Sequence, residues 1–212
     1  MRSSRPIPSS PWPHDMVIEV QDAAHPLLEL LWVREAWALS PGDGDAPPLL
    51  AVSPRREPDA EAAPEAWSRE WLAIWTAAVA HAAAPVDRDL FPALQRTADG
   101  SPERRELLGR MIGPTWRDRF GDDALTDGWS AWNARRSEEQ VGRMRAVRGL
   151  EEQPERIALD ALVPAWRAGL TKIVTIPCAG EHTRVIGAHA LLVADATRAD
   201  PDRYRAALAR FA

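Results

Sequence analysis

Between Thr171 and Ala194 the chain reads TKIVTIPCAGEHTRVIGAHALLVA, a β-branched and apolar stretch in a sequence otherwise patterned for helices. A strand leaves its backbone donors and acceptors unpaired unless another strand adjoins it, so this stretch commits the chain to a sheet. Gly180-Glu181 suits a two-residue turn with glycine first. The segment at about 171–194 therefore predicts a C-terminal β-hairpin, in which Cys178 opposes Thr183, Ile176 opposes Val185 and Lys172 opposes His189.

Side chains alternate along a strand, so that register puts Lys172, Val174, Ile176 and Cys178 on one face with Thr183, Val185, His189, Leu191 and Val193. It separates the rare reactive residues. His189 lies six strand residues, roughly 20 Å, from Thr183 and hence from Cys178. One cysteine with one histidine is too few for a structural zinc site, and no base shares the cysteine's face, so Cys178 is read as a buried, inert thiol.

The rest is helical by period. Trp67, Trp71, Ile74, Trp75 and Ala78 recur at three- and four-residue steps from Glu65 to Ala84, a seam read as core packing rather than a ligand platform. A helix from Asp22 to about Leu39 is apolar nearly all round and needs neighbours on several sides. Ser101 before Pro102 and Asp200 before Pro201 pair a capping side chain with a first-turn proline; the second opens a closing C-terminal helix with Tyr204, Leu208 and Phe211 on one face. Shorter or less regular helices are expected over 89–97, 115–120, 124–148 and 154–170, with a kink at Pro164.

Proline punctuates both ends of the first helix. Residues 1–14 carry four prolines and read as an extended or disordered tail. A long proline-rich, acidic loop follows at about 40–64, with only Leu49–Val52 resembling a strand; its composition favours disorder. The expected architecture is thus α+β: residues 15–212 form a single globular domain with a mainly helical, tryptophan-rich body. It carries a small antiparallel sheet built on the hairpin, with Met16–Val20 as a third strand.

Composition narrows the function classes. A net charge of −5 and a pI near 5.6 give no general attraction to phosphate backbones or anionic lipid. The arginine clusters near residues 104, 135 and 143–148 are interleaved with glutamates, and nucleic acid is not expected as a partner. A single cysteine excludes an internal disulfide and a cysteine-based metal cluster. No run is long enough to span a membrane and no secretory apolar block follows Met1, so a cytoplasmic location without membrane contact is expected. Phosphate-binding, dinucleotide-binding, zinc-protease and serine-hydrolase motifs are absent, and neither cofactor nor metal is expected.

What remains is charge in an unusual place. Lys172 opposite His189 sets two potentially positive groups together, which repel unless a carboxylate or a ligand joins them. Glu29 or Glu35 could supply that charge, and Arg184 could contribute from another side. Lys172, His189, Arg184 and Glu35 are therefore the candidate binding residues for a small anionic ligand, against an ordinary ion pair or an exposed strand end. The missing motifs, acidic loop and many aromatics point instead to a non-enzymatic, protein-binding or accessory protein.

Overall fold

The computed structural model describes residues 11–22, 24–42, 44–146 and 149–211. Strand β1 (Glu19–Asp22) leads into helix α1 (His25–Ala36). Then follow α2 (Glu65–Ala83), α3 (Leu90–Gln95), α4 (Pro102–Ile112), α5 (Trp116–Phe120), α6 (Asp127–Ala146), α7 (Pro154–Ile157) and α8 (Leu159–Arg167). The chain then forms β2 (Lys172–Ile176), β3 (Thr183–Ile186) and β4 (Ala190–Ala194), and ends in α9 (Asp195–Ala199) and α10 (Pro201–Ala209). A helical body, a small sheet and a closing C-terminal helix make this an α+β protein.

The sheet is mixed rather than antiparallel. Its order is β1-β2-β4-β3, with β1, β2 and β4 mutually parallel and only β3 antiparallel to β4. The hairpin is therefore β3–β4, closed by Gly187-Ala188-His189 with Gly187 at φ +60°. The Gly180-Glu181 stretch belongs to a connection between β2 and β3. All five residues of β2 and all five of β4 are buried, which requires strands on both sides and cover on both faces. A hairpin of β2 with β3 would leave β4 without that cover. The third strand lies slightly later than Met16–Val20, and Asp22 ends it, so that α1 starts at His25 rather than at Asp22.

The two central strands feed two cores. Val174, Ile176, Ala190, Leu192 and Ala194 pack with α1, α2, α5 and α6, whereas Ile173, Leu191 and Val193 pack with Met16, Ile18, Leu162, Tyr204 and Leu208. The first core holds most of the tryptophans. Trp71 and Trp75 stack at 5.4 Å, Trp67 meets Trp116 edge-on, and the Trp71 indole donates to Leu30 O at 2.7 Å. The all-round apolar α1 is buried along most of its length, as its pattern requires.

The loop after α1 is tied down where composition favours disorder. The buried Arg34 guanidinium donates to the carbonyls of Pro47 and Pro48, at 2.7 Å each, and Glu35 accepts from the Leu50 amide. Leu50 also bridges Cys178, through Ala51 N–H to Pro177 O at 2.9 Å and Ala179 N–H to Leu49 O at 2.7 Å. Of the proline-rich tail, residues 1–10 lie outside the described residues. Trp12 is buried and donates to Met16 O at 3.1 Å.

Candidate functional site

Because β1, β2 and β4 are parallel, their carboxyl ends meet at one edge of the sheet. Open sheets with parallel strands place ligands in the crevice beyond those ends. A crevice of about 1170 Å³ opens here between the sheet, α9 and the chain around α7. Trp12, Ile18, Val20 and Leu150 supply apolar wall. Asp22 closes β1, Thr175 stands near the end of β2 and Asp195 follows β4, so each parallel strand delivers a polar side chain to the same opening.

Arg198 on α9 organises this edge. Its Nε and Nη2 hold the two oxygens of Glu155, at 2.8 and 3.0 Å, in a forked pair. Its Nη1 lies 3.5 Å from Asp22 Oδ1, to which the Thr175 hydroxyl donates at 3.3 Å. The buried Tyr204 hydroxyl completes the group by donating to Glu155 at 3.0 Å. Burial opposes the charge on Arg198, but its hydrogen bonds to Glu155 and the carboxylate charge around it raise the pKa above the usual arginine value. Burial, followed by the nearby Glu155 charge, pushes the Tyr204 phenol well up. Arg198 therefore stays cationic and Tyr204 stays a neutral donor across the ordinary pH range.

The four residues singled out from sequence stand elsewhere. Lys172 and His189 do lie close together, because the Lys172 and Thr171 amides donate to His189 O at 3.1 and 2.9 Å; the contact comes from the parallel β2–β4 edge. They occupy the amino end of β2, away from the crevice. The Lys172 ammonium is 3.5 Å from Glu19 and nearly buried, while the exposed His189 ring places Nδ1 3.2 Å from Gly169 O. Arg184 on the edge strand pairs with Asp45 at 2.9 Å, and Glu35 holds Arg34 and the loop.

Other reactive groups are similarly engaged. Cys178 is 1% exposed, and burial pushes its thiol up to about 12. Burial lowers the pKa of His182. The buried Glu29 accepts from Arg117 at 3.2 Å, and the same oxygen lies 3.0 Å from His25 Nε2, tying α5 to α1. Among the described residues no cluster of His, Cys, Asp or Glu has an arrangement that could hold a metal ion, and no helix is long and apolar enough to cross a membrane.

Sequence reasoning passed over Asp22, Glu155, Asp195 and Arg198. A signal was present: both VIEVQD and ALLVAD are strand-like runs that end in aspartate. Its meaning depends on the two runs being parallel. Comparison of the chain with family models, curated proteins and solved structures finds no match in any of the three.

Proposed function

We propose that the protein acts by binding rather than catalysis, and that its ligand is a small organic molecule carrying an amine or guanidine beside an apolar body. The crevice at the carboxyl ends of β1, β2 and β4 carries this reading. Its volume lies somewhat above the usual span of small-molecule sites, roughly 300 to 1,000 Å³, so a small ligand would occupy part of it. Four carboxylates line it against two guanidiniums, leaving an excess of two negative charges, and Arg198 is already committed to Glu155 and Asp22. An apolar wall with an acidic rim favours a cation with a hydrophobic portion over an anion. The network's two hydroxyls, on Thr175 and Tyr204, are buried and donate to Asp22 and Glu155, carboxylates that Arg198 already holds, which favours holding a ligand over transforming one.

The test is calorimetric titration with three probes of similar size: benzamidine, benzyl alcohol and benzoate. Benzamidine is expected to bind best, and Asp22→Asn combined with Asp195→Asn is expected to weaken it at least tenfold while leaving the thermal melt close to that of the parent. Equal binding of benzoate, or benzamidine affinity unchanged in the double variant, would refute the reading.

A further inference from the structure

Among the described residues, strand β1 is an edge of the sheet, with β2 on one side and no strand on the other. The Glu19 amide donates to Thr171 O at 2.9 Å, so in the parallel ladder Glu19 and Gln21 turn their backbone groups toward β2. Ile18, Val20 and Asp22 alternate with them and turn theirs away. Met16 precedes them in that series, and its carbonyl is taken by the Trp12 indole. Among the described residues no backbone group on the outer side pairs with Ile18, Val20 or Asp22. The same three residues line the crevice. One wall of the crevice is thus a strand that presents open main-chain donors and acceptors together with two apolar side chains and a carboxylate.

An open edge beside a cavity is the arrangement by which an extended peptide adds a strand: main-chain hydrogen bonds hold it, and its alternate side chains fill the space on one face. We infer that the crevice binds an extended peptide segment along β1, with an arginine or lysine two residues away from an apolar residue. This rests on the reading of the crevice as a site for a cation beside an apolar body, and assigns both groups to side chains of one peptide. The spacing follows from the strand. Side chains on one face recur every second residue, roughly 6.6 Å apart, the step that separates Val20 from Asp22. An apolar side chain over Ile18 and Val20, against Trp12 and Leu150, therefore sets its neighbour on that face beside Asp22. A free edge alone accepts any strand; the excess of carboxylates over guanidiniums around it selects a basic one. The volume agrees, because an extended segment uses the length of a crevice that one small molecule leaves partly empty.

Calorimetry with the peptide acetyl-Lys-Thr-Val-Thr-Val-Thr-Lys-amide tests this, its alternation and terminal lysines serving either strand direction. It is expected to bind more tightly than benzamidine, and its counterpart with glutamate in place of lysine is expected not to bind. Two further versions separate strand addition from side-chain contact: one N-methylated at both valines, the other at all the threonines. Only one edge of an added strand faces β1. One version is therefore expected to bind about tenfold more weakly, from the loss of one or two main-chain hydrogen bonds, and the other to match the parent. Amide hydrogen exchange at Val20 and Asp22 should slow in the complex, whereas Gln21, already bonded to β2, should change little. Equal affinities of the two methylated versions, whether both kept or both lost, would overturn the inference and leave the cation site standing. A peptide that fails to bind a protein that does bind benzamidine would overturn it in the same way. Failure of peptide and benzamidine together would remove the cation site, and the inference with it.

Discussion

Replacing Cys178 by alanine should make the protein more resistant to alkali, although it removes a buried core atom. The thiol is raised from an ordinary value of 9.0 to about 12 by desolvation. A raised acid favours the folded state fully below its unfolded pKa, and that contribution disappears as pH climbs through the folded value. The loss begins near pH 9. At pH 11 the unfolded thiol is almost wholly ionised and the folded one is not, a difference of about two units or ~3 kcal/mol; the full three units are worth ~4 kcal/mol. The alanine variant lacks this term and loses the packing of one sulfur, about 1 kcal/mol. Its denaturant-derived stability should therefore lie ~1 kcal/mol below wild type at pH 8 and ~2 kcal/mol above it at pH 11. Little else confuses the comparison, because Lys172 is the chain's one lysine, the arginines keep their charge, and the single tyrosine is present in both proteins. Curves that run parallel from pH 7 to 11, or prompt alkylation of the native thiol at pH 8, would refute the account.

The Arg198–Glu155 pair predicts strong asymmetry between single and double replacement. Glu155→Ala strands a guanidinium whose side chain is 22% exposed, and should cost about 3 kcal/mol in urea unfolding. Glu155→Leu with Arg198→Met should recover most of it, and a double variant as unstable as the single would contradict the burial argument. At Gly113 the backbone has φ +81° and an added Cβ would lie 2.2 Å from the His81 ring. Gly113→Ala should cost at least ~1–2 kcal/mol from the left-handed conformation alone. Adding His81→Ala should relieve only the steric part, and full restoration would show that the conformation carries no cost.

Local features were legible wherever the local pattern determines the outcome. The seam Trp67, Trp71, Trp75 and Ala78 is buried because period and residue type agree. Ser101 accepts from the Arg104 amide at 3.1 Å, and Asp200 from the amides of Asp202 and Arg203, since a cap needs nothing beyond its own first turn. The sheet was legible as strands but not as pairings. Reading β2 and β4 for alternation missed that uninterrupted apolar runs mark strands covered on both faces. Glycine at 180 has φ +71° as a tight turn would, but positive φ does not say whether the chain returns beside itself or crosses over. The crevice inherits that difficulty: Asp22, Glu155 and Arg198 are brought together only after β1 and β2 pair across most of the chain.

That pairing has a consequence during synthesis. Among the described residues, strand β1 has β2 as its only neighbour in the sheet, with Glu19 opposite Lys172. About 150 residues must be added between them, which takes roughly 8–30 s at 5–20 residues per second. For that interval the nascent chain carries an unpaired strand edge and half of an unfinished second core, the kind of surface on which holding chaperones and neighbouring chains act. Fragments ending before Thr171 should therefore be recovered as aggregates or chaperone complexes, because the last fifth of the sequence supplies the partner that the first tenth has been waiting for.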